Sequence, residues 1–234
     1  MPEGFLGPVK NKPELMDGYL LCPSSTEKGG WKIHFERYEL DRKGHFPDAS
    51  DIAARATMIG PVEAEQAEKT YQQGTLSPIG CIQPSILRLA DGRLKVLCRS
   101  QNGRLATSYS SDVGRTWSPV SLTTLPNNNS GTDAVSLLAT SSDPKDRRHV
   151  LVYNPNATQP GAHNAPRTPL CVAISEDGEH WRLLATLEDG PISEYSYPAV
   201  VEGHDGTIHI TYTWRRERIC HVELKFRKIT MPLL

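Results

Sequence analysis

The sequence has no long hydrophobic run, no excess of one charge, no cysteine pair at metal-ligand spacing and almost no helical periodicity. Each lack closes off a class of protein. Nowhere do about twenty apolar residues follow one another, as a membrane-crossing helix requires. Met1-Pro2-Glu3-Gly4-Phe5 has neither the basic nor the apolar stretch of a secretory leader. No membrane span and no secretion signal are expected in this chain, and its compartment stays open, cytoplasmic or secreted if a segment precedes it. The formal net charge is −1, with 26 basic and 27 acidic residues spread along the chain, which leaves no footprint for nucleic acid or an anionic membrane. Only Arg215, Arg216 and Arg218 form a dense basic run, and a solvated strand edge would produce the same pattern.

Cys22, Cys81, Cys98, Cys171 and Cys220 lack any Cys-x-x-Cys spacing, and Cys22, Cys98 and Cys171 lie in apolar strand-like runs where a thiol acts as a small core residue. They read as buried and reduced. Of the eight histidines, His209 and His221 read as strand residues; no two have a metal-ligand spacing along the chain, so no metal and no cofactor are expected.

What is present is a repeat. Ser110-Ser111-Asp112-Val113-Gly114-Arg115-Thr116-Trp117 and Ser175-Glu176-Asp177-Gly178-Glu179-His180-Trp181 are copies of one turn, each closing an apolar strand run. Ser and Asp side chains can accept hydrogen bonds from the backbone of the bend, Gly can take a positive φ, and Trp can cover the hairpin. Around these turns one unit recurs: an entry residue before Pro or Ala, a strand, a turn that in three of the copies is Asp-Gly, a second strand, a variable loop and a third strand. The copies start at Pro13, Pro84, Ala134 and Pro198, at spacings of 71, 50 and 64 residues. That is the size of a four-stranded propeller blade with variable loops.

The expectation is an all-β propeller, a single domain over 1–234, with about four blades near 13–70, 84–120, 134–185 and 198–225. Four blades without an evident closing strand point to an incomplete ring of six. The one helical-looking segment, Pro61 to Lys69, is short and polar and is expected as an excursion on the surface. Lys12, Gln83 and Asp133 hold the same position, just before the start, in the first three copies; Asp133 is the most plausible inward carboxylate, and Lys12 adds positive charge.

The turn copies are similar to Asp-boxes, and the chain from about Pro13 to Leu224 resembles the later blades of the sialidase (neuraminidase) superfamily. In that family a Glu begins a blade and an Arg ends its second strand sixteen residues later. Here Arg99 follows Gln83-Pro84-Ser85-Ile86 at that separation. The resemblance makes Arg99 the second member of the family's arginine triad. Asn154-Pro155 followed by Arg167-Thr168-Pro169-Leu170 resembles the segment with the third triad Arg, which Arg167 would then be. Gly190-Pro191-Ile192-Ser193-Glu194-Tyr195-Ser196 is similar to the segment of the catalytic Tyr, which puts Tyr195 in the nucleophile position, with Tyr197 competing for the inward direction. Arg215, after Trp214, is the repeat equivalent of Arg99, and a Trp beside an Arg would suit a sugar ring.

The chemistry implied is recognition of an acidic sugar. Guanidinium forks hold a carboxylate bidentately, and a Tyr nucleophile avoids the repulsion that a carboxylate nucleophile would meet there. The chain departs from the family at Gln83, which cannot take a proton as the family's Glu does, so Tyr195 would need Asp133 or Glu194 as activator. It also has no counterpart of the general-acid Asp or of the first triad Arg. The functional expectation is a sialidase-like glycoside hydrolase that acts on or recognises an acidic glycan, of altered specificity or inactive as this chain. The rival is a non-catalytic carbohydrate-binding propeller.

Overall fold

A computed structural model of the chain describes residues 2–67, 77–139, 147–157, 165–191 and 194–226. Strand follows strand in antiparallel order through four successive sheets. The first contains β1 (Glu14–Met16), β2 (Tyr19–Thr26), β3 (Lys32–Glu39) and β4 (Ala56–Ile59), with a one-turn helix α1 (Ile52–Arg55) before its last strand. A two-residue pair, β5 (Gln66–Ala67) and β6 (Ser77–Pro78), leads to the second sheet: β7 (Cys81–Arg88), β8 (Leu94–Ser100), β9 (Arg104–Ser110) and β10 (Ser121–Pro126). The third holds β11 (Asp133–Leu137), β12 (Arg148–Tyr153), β13 (Leu170–Ser175) and β14 (Arg182–Glu188); the fourth holds β15 (Tyr195–Glu202), β16 (Ile208–Trp214) and β17 (Arg218–Leu224). Among the described residues no helix is long and apolar enough to cross a membrane.

The sheets stack as blades because period-two alternation gives a middle sheet two apolar faces. On β8, Leu94, Val96 and Cys98 belong to the core shared with Leu21 and Phe35 of the first sheet, whereas Leu97 belongs to the core shared with Leu151 and Ala173 of the third. A third core joins Val150, Val152 and Val172 to Val200, Ile208 and Ile210. Each fully buried aliphatic side chain contributes about 1.5–3 kcal/mol, so three such layers hold four sheets together. The strands β2, β7, β11 and β15 pack successively against one another, which sets one end of each blade side by side. All five cysteines are free thiols; four are buried and Cys220 is half-buried.

The two turn copies clip each blade to the one before. Ser110 Oγ accepts from Gly114 N (2.8 Å), and Asp112 Oδ1 accepts from Thr116 N (2.8 Å). Ser175 and Asp177 repeat this with Gly178 N (2.8 Å) and His180 N (2.8 Å), and each Trp donates to its turn Gly carbonyl, at 3.2 Å for Trp117 and 3.1 Å for Trp181. Both glycines have a positive φ, and a Cβ on Gly114 or Gly178 would stand 2.6 or 2.7 Å from Leu21 or Leu89 of the preceding sheet. The second clip is fastened by the buried Lys95, whose ammonium donates to Gly178 O at 2.7 Å. Trp117 stacks on Phe35 with ring centroids 4.0 Å apart.

The segment that reads as helical in sequence is extended. Val62 N donates to Ile33 O and Glu65 N to Val120 O, so pairing with the first and second sheets outweighs the helix preference of a short polar stretch. Glu68 and Lys69, its last two residues, lie outside the described residues.

Candidate functional site

Two blades carry the same irregularity at the same end. The β7–β8 register shifts between Ile82 and Ser85, and the β15–β16 register shifts between Ser196 and Ala199. Inside each shift lies a residue of positive φ followed by proline: Gln83 (φ 59°) before Pro84, and Tyr197 (φ 50°) before Pro198. Proline has no N–H for the ladder and is tolerated at a bulge, and a bulge re-aims the side chain it carries. Gln83 and Tyr197 accordingly converge with Lys10 of the N-terminal segment on Gly131. A Cβ on Gly131 would stand 2.9 Å from Lys10 Cε, 3.1 Å from Gln83 Oε1 and 3.2 Å from Tyr197 Cδ1, so any larger residue would press on all three side chains.

Asp133 binds the blades together beneath this point. It is 3% exposed, and its carboxylate accepts from Lys12 Nζ (3.0 Å), Ser85 Oγ (3.0 Å), Ala134 N (2.9 Å) and Val200 N (2.9 Å), which come from all four sheets or their entry segments. The expected inward carboxylate is thus a strut, and Lys12 is its partner rather than a free charge. The cation at the centre is Lys10, which donates to Thr132 O (2.7 Å), Pro198 O (2.9 Å) and Asn11 Oδ1 (2.8 Å). Burial pulls its pKa down to about 8; Asp133 opposes this and the nearby charges of Lys12 and Arg99 add to it.

Arg99 and Arg167 come together at the Tyr197 hydroxyl. The Arg99 Nε donates to Asn129 Oδ1 (2.9 Å), and its guanidinium lies 4.9 Å from the centroid of the Trp31 ring. Arg167 lies 5.1 Å from the centroid of the Tyr197 ring and pairs with Glu194 (3.0 Å), which also accepts from Arg216 Nε at 2.7 Å. Burial opposes ionisation of Glu194, but hydrogen bonds from Arg216 and Ser196 and the charge of Arg167 outweigh it and hold the carboxyl low. Burial would likewise raise the Tyr197 phenol, yet Arg167 and Arg99 standing against its hydroxyl bring it below the ordinary tyrosine value.

The other expected residues point elsewhere. Tyr195 is 2% exposed in the core between the third and fourth sheets, and its hydroxyl lies 2.7 Å from where a Cβ on Gly190 would be. Its phenol is pushed up by removal from water and by Glu188 and Asp189. The tyrosine facing the arginines is Tyr197, because the bulge at Tyr197-Pro198 breaks the alternation that would otherwise give both tyrosines one direction. Trp214 pairs with Tyr195 across the strands and lies between Arg215 (5.3 Å) and Arg218 (4.0 Å); Arg215 turns to Glu217 at 3.5 Å. Neither Trp214 nor Arg215 joins Arg99 and Arg167, because the positive φ of Arg215 (55°) and Arg216 (58°) turns the hairpin so that Arg216 meets Glu194. Gln83 Oε1 has no hydrogen-bond partner among the described residues. Sequence reasoning missed Lys10, Tyr197 as the facing tyrosine, and Arg216. For Tyr197 the signal was present, since it occupies in the fourth copy the position that Lys12, Gln83 and Asp133 occupy in the others.

Residues 2–210 match the family described as BNR repeat-like domain. Among solved structures, the chain is similar to the intramolecular trans-sialidase from Ruminococcus gnavus in complex with oseltamivir carboxylate, at 21% identity and TM-score 0.54, covering 92% of this chain and 40% of that one. The NanB sialidase from Streptococcus pneumoniae follows at 15% identity and TM-score 0.54 (86% and 26%). The Trypanosoma rangeli sialidase in complex with 2,3-difluorosialic acid, a covalent intermediate, is 15% identical with TM-score 0.53 (85% and 28%). The fold is therefore that of sialidase propellers, and the chain spans between 26% and 40% of the length of these proteins. No curated protein matches by sequence.

Proposed function

This chain belongs to the BNR repeat-like domain family, and we propose that the group formed by Arg99, Arg167 and Tyr197 recognises an acidic sugar of the sialic acid type, in the manner of a sialidase-like glycoside hydrolase. The observation that carries the reading is the convergence of Arg99 and Arg167 on Tyr197. Two permanently charged forks, one braced by Asn129 and one by Glu194, suit a carboxylate, which accepts paired N–H groups and displaces nothing but the contact to the phenol. The amide of Gln83, whose Oε1 has no partner among the described residues, then stands ready for a hydroxyl of the ring. The names of the similar structures support the substrate class, since two are sialidases and one is a trans-sialidase held with a carboxylate ligand.

In this reading Tyr197 stands beside the sugar. Its phenol, lowered by the two cations next to it, ionises more readily than an ordinary tyrosine, and a hydroxyl that stays neutral until it attacks meets less repulsion from a bound carboxylate than a carboxylate nucleophile would. Gln83 presents an amide, so it orients and does not accept a proton. The test combines turnover of a fluorogenic sialoside with binding of free sialic acid, in the parent, Arg99→Ala and Tyr197→Phe. Turnover that disappears in both variants supports hydrolysis; binding lost in Arg99→Ala without turnover in the parent supports recognition alone. Absence of both in the parent overturns the acidic-sugar reading.

A further inference from the structure

A second group of side chains lies on the outer face of the fourth sheet, apart from Arg99, Arg167 and Tyr197. On β16, Ile208, Ile210 and Tyr212 enter the core against the third sheet, so His209 and Thr211 alternate to the opposite face. On β17, Val222 and Leu224 pack on that core, which turns His221 and Glu223 outward. The register sets His209 opposite Glu223 and Thr211 opposite His221, and His209 therefore meets His221 on the diagonal. The result is close: His209 Nδ1 lies 3.2 Å from His221 Nε2 and 3.7 Å from Glu223 Oε1, with the two rings stacked at 11°. All three ligand atoms fall within 4.8 Å of one another.

We propose that His209, His221 and Glu223 form a binding site for a divalent transition metal, with zinc as the best-fitting ion. Two ligands each about 2.0–2.1 Å from a tetrahedral zinc stand about 3.3 Å apart, which is the separation of the two imidazole nitrogens within a tenth of an ångström or so. Nitrogen donors with one carboxylate suit zinc and its neighbours, whereas calcium and magnesium require oxygen throughout. The third ligand has reach to close on the ion, since the Glu223 side chain is 51% exposed. The far nitrogen of His209, Nε2, sits 3.3 Å from where a Cβ on Gly203 would be, so the ring packs closely against the turn after β15. Three protein ligands on an exposed face keep a coordination position open to water or to a ligand from solution. The metal would join β16 to β17, the outer strand of its sheet, and so add to stability in proportion to its occupancy. This site escaped the sequence reading because residues 209 and 221 are twelve apart and meet only through hairpin register.

The chain, treated with a chelator and dialysed, is titrated calorimetrically with zinc chloride, and with calcium and magnesium chloride as comparisons, alongside His209→Ala, His221→Ala and Glu223→Gln. All three substitutions are at half-exposed or exposed positions, and circular dichroism of the metal-free forms verifies the fold. The expected result is one zinc per chain, weakened about tenfold or more in each histidine variant. A zinc-dependent rise in Tm should be seen in the parent and absent from those variants, with no comparable response to calcium or magnesium. No zinc binding by the parent overturns the proposal. So does binding that both histidine variants retain undiminished, which would assign the ion to another surface group such as His180 with Asp177.

Discussion

Gln83 and Tyr197 are the same residue of the repeat in two different blades: each sits at positive φ inside a bulge, directly before a proline, with its side chain at Gly131. One presents an amide and the other a phenol, brought close together over Gly131. The positions that could do chemistry are therefore the ones where the repeat keeps its backbone and changes its side chain.

The arginines give the first expectation. Arg99→Ala and Arg167→Ala should each weaken binding of sialic acid by about 10- to 100-fold, the value of one charge-assisted contact of about 1.5–3 kcal/mol. Tyr195→Phe, altered inside the core, should leave that affinity in place, whereas Tyr197→Phe should change it. Calorimetric titration of the four variants separates the two tyrosines.

Among the described tyrosines, Tyr197 should also be the first to ionise. Its pKa is brought down by Arg167 and Arg99 against the effect of burial, while Tyr19, Tyr38, Tyr109, Tyr153, Tyr195 and Tyr212 are all raised by burial. An ultraviolet titration at alkaline pH should show one early transition. Arg99→Ala or Arg167→Ala should move it upward, toward the ordinary tyrosine range, and Tyr197→Phe should remove it.

Asp133 predicts a stability effect. Its carboxylate holds Lys12 and three donors from different blades, so Asp133→Ala should cost about 3–5 kcal/mol in urea unfolding, the range for breaking a buried ion pair on one side. A loss below about 1 kcal/mol would mean that the blades are held by their apolar cores alone.

How far these features were legible in the sequence varies with their cause. The blades were legible because Asp-Gly turns, alternating strands and two copies of the Ser-x-Asp turn are local chemistry. Arg99 and Arg167 were legible because their spacing from other repeat landmarks survives in this chain. Tyr197 was not chosen, because a bulge that reverses a strand's alternation leaves only Tyr-Pro as its mark, and a motif match drew attention two residues upstream. Asp133 reads as a candidate base from its type and position; only the four donors around it reveal a strut. The pairing of His209 with His221 depends on register between strands, which no spacing along the chain expresses.

His149 makes stability depend on pH. It is fully buried with Nδ1 2.9 Å from Ser136 Oγ, and burial, helped by Arg147 and Lys95, brings its pKa from 6.5 to about 4. The unfolded chain binds the proton first, so this contribution is complete above pH 6.5 and is lost as pH falls toward 4. Urea midpoints should drop across that window by the equivalent of roughly 2–3 kcal/mol, and His149→Gln should flatten the drop.

The central claim is that Arg99 and Arg167 serve to hold a sugar carboxylate. Calorimetric titration with sialic acid and with its methyl ester tests it most directly, because the two ligands differ only at the carboxyl group, whose charge the ester removes. The account predicts that the acid binds and that the ester binds at least about tenfold more weakly. Equal affinity for both, or affinity for neither, would contradict it.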